Sequence, residues 1–175
     1  MKFILYSVII ITIASCGLIP ALRYRREPLT MKKEDYQGSQ VRTDGFYRNT
    51  DATGESNFFL YRNGVILNGM CIDMGFKTAD QVAERIKSIG IKHPNDCDDV
   101  VFAWGLFKID GSKITIESWM SGTSMSSEKY RTQIFNGEII NDTTICLDKY
   151  ISKGRDTFHF TQLPIKPDST NNFIK

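Results

Sequence analysis

Histidine is scarce: His93 and His159 are the only two in 175 residues. Neither stands in a recognisable catalytic pattern, so the chain offers little for histidine-based acid–base chemistry. No two of the four cysteines are spaced as CxxC, and only His93 lies near Cys97. A zinc site is therefore not expected. A Gly-x-Ser-x-Gly nucleophile elbow is absent. Charge of either sign is not in excess, with 22 Lys+Arg against 20 Asp+Glu. Such a balance gives no global attraction to nucleic acid. No internal repeat is convincing, and no apolar run reaches the ~20 residues that a membrane span needs.

The apolar run that does exist is N-terminal. Lys2 supplies a positive n-region, and Phe3 to Ala14 form an apolar stretch suited to a signal-peptide h-region. Ile13-Ala14-Ser15-Cys16 follows, and it resembles the lipobox of bacterial lipoproteins: a branched apolar residue, two small residues, then cysteine. In that family the peptidase cuts before the cysteine, whose thiol and new amino group carry acyl chains. The resemblance implies a signal peptide over 1–15, lipidation at Cys16 and a membrane-held mature chain. Each buried methylene contributes about 0.8 kcal/mol, so two or three chains hold stably where one does not. Free secretion after ordinary cleavage and an uncleaved anchor extending through Leu18, Ile19 and Leu22 are the alternatives. Residues 16–41 read as the acylated cysteine and a flexible tether, interrupted by Pro20, Pro28 and Gly38. Arg23, Arg25, Arg26, Lys32 and Lys33 cluster there, either simply solvated or facing anionic head groups.

With Cys16 acylated, Cys71, Cys97 and Cys146 remain. An odd number allows at most one bridge and a free thiol. Cys71 and Cys97 flank one helix and are the candidate disulfide; Cys146 sits in a strand pattern and reads as a small buried hydrophobe.

Residues 42–163 read as one β domain, with a polar tail over 164–175. Phe58 to Tyr61 and Val65 to Leu67 flank Asn63-Gly64; Val101 to Ile109 and Lys113 to Trp119 flank Asp110-Gly111; Tyr130 to Phe135 and Glu138 to Ile140 flank Asn136-Gly137. Asn-Gly and Asp-Gly tolerate the positive φ of tight hairpins, so three hairpins are expected. Gly45 to Arg48, Thr143 to Leu147 and Thr157 to Leu163 supply further strand segments, Thr143 to Leu147 as an extension of the third hairpin. Ile114 and Ile116 alternate with Lys113, Thr115 and Glu117, giving one core face and one wet face. One segment differs: Val82, Ile86 and Ile89 recur with helical spacing over 78–89, opened by a Thr78/Gln81 capping box and stopped by Gly90. The expected fold is mainly β, an antiparallel up-and-down barrel or two-sheet sandwich of about eight strands with one amphipathic helix, since closure or sheet pairing hides strand edges.

Arg42-Thr43-Asp44-Gly45-Phe46-Tyr47, Phe59 to Gly64, Trp104 to Ile109 and Asn141 to Thr144, together with the lipobox, resemble uncharacterised lipid-anchored envelope proteins of Bacteroidota-type bacteria. The resemblance implies a shared architecture, plausibly a calycin-like barrel, and carries no catalytic residues. The Gly-x-Trp signature of lipocalins is absent.

Near-misses for chemistry are weak. Ser126-Ser127-Glu128-Lys129 fits Ser-x-x-Lys without its companion motifs. Gly105 to Lys113 lies on strand–turn–strand, not on a phosphate loop. Asp96, Asp98 and Asp99 lack the spacing of a calcium loop. Aromatics are the remaining lead: Trp104, Trp119, Phe102 and Phe107 are candidate ligand-lining residues, against barrel core as the plainer role. The expectation is a non-enzymatic binding or scaffold module in the bacterial cell envelope, held at the outer membrane through its lipid. It would use no cofactor or metal, and its partner would be a small apolar ligand or an envelope protein. A hydrolase using Asp and His at the barrel mouth is the alternative.

Overall fold

Strands form where β-branched and aromatic residues alternate with polar ones, and the turns fall where glycine permits a positive φ. The computed structural model describes residues 25–49, 56–69, 78–89, 100–120, 129–149 and 152–175. Strand β1 is Arg25–Arg26; then follow β2 (Gly45–Asn49), β3 (Ser56–Leu60), β4 (Val65–Asn68), helix α1 (Ala79–Ile89), β5 (Trp104–Asp110), β6 (Lys113–Met120), β7 (Lys129–Asn141), β8 (Thr144–Asp148) and β9 (Arg155–Gln162). Each strand from β2 to β9 pairs antiparallel with its sequence neighbours, and β9 pairs back onto β2. The result is a closed eight-stranded up-and-down barrel, with β1 added parallel to β7.

Two hairpins stand where the sequence puts them. Gly64 (φ 76°) turns β3 into β4, and Gly111 (φ 59°) turns β5 into β6. The third does not. Asn136 and Gly137 lie inside the continuous strand β7, and the chain reverses at Asn141-Asp142-Thr143 instead. A Cβ on Gly137 would stand 2.4 Å from the Cys146 carbonyl oxygen, so glycine serves close strand approach there, not a turn. At 143 the Asn141 Oδ1 accepts from the Thr143 amide (3.0 Å) and hydroxyl (2.8 Å), an Asx turn. The strand expected from Val101 opens with a 3-10 turn over Val101–Ala103. Helix α1 is capped reciprocally, Thr78 Oγ1 accepting from Gln81 N and Gln81 Oε1 from Thr78 N, each at 3.2 Å.

The domain has two apolar layers. Inside the barrel, Tyr47, Phe58, Ile66, Phe107, Ile116 and Phe158 pack together. Outside it, Phe46, Phe59, Leu67, Trp104, Leu106 and Trp119 form a second core under Val82, Ala83 and Ile86 of α1. The chain ends complete this outer layer. Residues 25–41, expected as a flexible tether, belong to the domain, because they carry apolar groups with somewhere to go. Tyr36 and Val41 are buried in the inner core, and Leu29 and Met31 pack on the outer one. The Tyr36 hydroxyl accepts from Val41 N (2.9 Å), while that of Tyr47 accepts from Arg42 N (3.0 Å) and donates to Asp142 O (2.8 Å). These bonds seal the barrel end at which β2 begins. The tail over 164–175 is likewise strapped down: Phe173 meets Trp119 edge-on at 6.2 Å, and Asn63 Nδ2 donates to Ser169 Oγ at 2.8 Å. The packed unit therefore exceeds the expected 42–163 at both ends.

Candidate functional site

The barrel interior is sealed at one end and hollow towards the other. A cavity of about 250 Å³ lies where β2, β4, β6 and β8 end. Its apolar wall comes from Phe58, Ile66, Ile116, Phe135, Leu147 and Phe158, inward-pointing residues of six strands. Asn68, Ser118, Lys149 and Asp156 add polar groups nearer the mouth. An eight-stranded barrel is just wide enough for packed side chains or one small ligand. Among the described residues, side chains fill the sealed half and leave a cavity in the other.

The charges at the mouth are mutually engaged. Lys149 Nζ lies 3.3 Å from Asp156 Oδ1. Arg155 reaches Asp148 Oδ1 at 3.0 Å and Glu138 Oε2 at 2.9 Å, and these two carboxylates raise its pKa above the ordinary value. The paired charges are partly solvated, so they fix the β8–β9 hairpin more than they stabilise the fold.

The four aromatic candidates part company. Trp104 is fully buried in the outer core, and Trp119 lies on the outer face of β6, its Nε1 donating to Glu27 O at 2.6 Å. Neither tryptophan lines the cavity. The reason is that β2–β6 are covered on both faces, so an aromatic residue there need not point inward. Phe102 is half-buried on the 3-10 turn, outside both cores. Phe107 does point into the barrel, but at its sealed end, against Tyr36 (ring centroids 5.8 Å apart). Cys16, Cys71, Cys97 and His93 lie outside the described residues. Cys146 is half-buried and free, with its Sγ 3.6 Å from Thr157 Oγ1. His159 is exposed and pairs in register with Arg48 and Thr144 on the outer wall, so the structure does not bring it to the mouth carboxylates. Among the described residues no cluster of His, Cys, Asp and Glu could hold a metal ion, and no helix is long and apolar enough to cross a membrane.

Two groups outside the cavity escaped the sequence reading. Glu117, 1% exposed, holds the N-terminal segment with its carboxylate. Lys166, within the C-terminal strap, is half-buried, donating to Thr43 O and Leu60 O, both at 2.6 Å, with Nζ 3.8 Å from the Tyr61 ring centroid. Burial pushes its pKa down to about 7, with Asp44 pulling the other way. Burial also pushes the Tyr61 hydroxyl upward. Lys166 carries no sequence pattern, and the alternation in which Glu117 stands assigns it to the wet face. Comparison with protein-family models, curated proteins and solved structures gives no match to this chain.

Proposed function

We propose that the chain is a lipid-anchored binding module of the bacterial cell envelope, without enzymatic activity, that holds a small, mainly apolar molecule inside its barrel. The cavity carries this reading. Engineered cavities of about 150 Å³ lined by Leu, Ile and Phe bind benzene, and this one is larger and similarly walled. Apolar pockets with a few convergent polar groups are the usual form of a small-molecule site. The signal-like N-terminus and the lipobox at Cys16 support the anchor, and the resemblance to lipid-anchored envelope proteins supports an outer-membrane location.

Titration of the full-length chain with naphthalene-sized aromatic probes tests the binding; saturable one-to-one binding is expected, and its absence defeats the reading. Fatty-acid labelling with mass spectrometry of the mature N-terminus tests the anchor. An acylated Cys16 is expected, and Cys16→Ala abolishes the label; an intact Met1 or an unmodified start elsewhere refutes it.

A further inference from the structure

We infer that the cavity selects an uncharged ligand, a flat or short apolar body bearing a hydroxyl or amide group, over the carboxylate of the same skeleton. This rests on the binding reading above and narrows it to a ligand class. The observation is a change of chemistry along the barrel axis. The inner core contains Tyr47 on β2, Ile66 on β4, Ile116 on β6, Phe135 on β7, Leu147 on β8 and Phe158 on β9, and all of these but Tyr47 line the cavity. Two residues nearer the mouth, and so on the same face, stand Asn68, Ser118, Lys149 and Asp156, which line the cavity, with Asn49 and Gln133 placed likewise on β2 and β7. A floor of hydrocarbon is thus topped by a polar belt.

The belt is built for neutral groups. Four of its six members are carboxamides or a hydroxyl. Its two charges are spent on each other, Lys149 lying 3.3 Å from Asp156. The next cation along the hairpin, Arg155, is held by Asp148 and Glu138. A carboxylate entering the belt would lose water and find no unpaired cation among the described residues that line the cavity, which is the costly case of a buried charge. A hydroxyl or amide loses far less and can both donate and accept.

Gln133 is the specific handle. It is 9% exposed, and its register partner Ser118 lines the cavity. Its Nε2 has no hydrogen-bond partner among the described residues. A buried amide group left unpaired is a standing penalty that a ligand oxygen relieves. The inference does not depend on which way the amide is turned. Exchanging its nitrogen and oxygen would present an unpaired acceptor, which a ligand hydroxyl satisfies equally.

The test compares three probes on the naphthalene skeleton: 2-naphthol, 2-naphthoate and 2-methylnaphthalene. Each is titrated into the unacylated full-length chain at neutral pH and followed by probe fluorescence. Naphthol is expected to bind at least about tenfold tighter than naphthoate, because a polar site rejects a group it cannot pair. Gln133→Leu is expected to bring that ratio below about threefold while leaving methylnaphthalene within about twofold, since only the hydrogen bond is lost. Should Gln133→Leu fail to fold, Ser118→Ala carries the same comparison. Naphthoate binding as tightly as naphthol, or a ratio untouched by the variant, overturns the ligand class while the binding reading stands. Failure of all three probes to bind overturns the binding reading itself.

Discussion

Removing the Glu117 carboxylate should release the N-terminal segment from the barrel wall. Three donors converge on it: Thr30 N at 2.9 Å from both oxygens, Thr30 Oγ1 at 2.9 Å and Met31 N at 2.7 Å. Hydrogen bonds to a charged group are each worth about 1.5–3 kcal/mol. The simple total is too large, for two reasons. Thr30 is exposed and Met31 half-buried, so water replaces part of what is lost. Alanine also removes a carboxylate whose burial was itself costly. A net loss of about 2–4 kcal/mol remains for Glu117→Ala. At about 2–4 °C per kcal/mol for a domain of this size, Tm should fall by roughly 5–15 °C. Glu117→Gln keeps one acceptor but sets an NH2 against the amide donors, so it should cost about half as much. Urea unfolding followed by circular dichroism reads the stability. Trypsin reads the segment, since Lys32 and Lys33 lie immediately beyond Met31 and should become cleavable in the variant before the barrel unfolds. A Glu117→Ala protein within about 0.5 kcal/mol of the native one, with no new cleavage at those lysines, would refute the reasoning.

Three further outcomes are expected. The Lys166 ammonium has a folded pKa of about 7 against an ordinary 10.5; between those values the unfolded chain binds more protons, so stability should rise with pH from about 7 to about 10. Urea midpoints measured across that window for the native chain and for Lys166→Met, in which the rise should flatten, check it. Gly64→Ala should cost about 1–3 kcal/mol, because φ is 76° and the added Cβ would stand 2.2 Å from the Glu34 carbonyl oxygen; thermal unfolding of the variant measures this. Ser118→Leu should fill the upper cavity and weaken naphthalene-type probes by about tenfold or more with little change in fold; probe titration beside a circular dichroism spectrum decides.

Much of the architecture could be read from the chain because its signals are local. Asn63-Gly64 and Asp110-Gly111 announce turns through the positive φ their glycines adopt, and Thr78 with Gln81 announces a helix through two reciprocal bonds. Asn136-Gly137 spells the same message and means something else, because a glycine can serve close strand approach as well as a turn. The sequence does not say which until Leu147 is known to lie opposite, with the Cys146 carbonyl against the glycine. Trp104 and Trp119 fall in the outer core and away from the cavity for a related reason. Alternation reveals a core face only where the other face is wet, and α1 with the two chain ends dries both faces of β2–β6. Glu117 occupies a position where alternation predicts solvent, and only the return of Thr30 and Met31 explains it. The polar belt was out of reach altogether. Asn49, Asn68, Ser118 and Gln133 are scattered over four strands, of which only Ser118 and Gln133 are register partners, and it takes the closed barrel to turn all four inward near its mouth.

Strand β1 is two residues long and contributes almost nothing to the core, yet its position has a consequence for the protein among its own copies. β8, with five residues, covers only the Gly137–Asn141 end of the thirteen-residue β7. The other end of β7 would present bare backbone groups, the kind of edge on which a second chain can nucleate. β1 lies on it, Arg25 opposite Lys129 and Arg26 opposite Tyr130. Glu27 continues the cover, its amide donating to Tyr130 O at 2.9 Å and its carboxylate accepting from Thr132 N at 3.2 Å. A charged, very short strand is a poor template for further growth. Proteolysis that removed the chain through Glu27 would leave the inner core untouched and uncover a sticky seam, turning a self-contained barrel into one prone to aggregate with its neighbours.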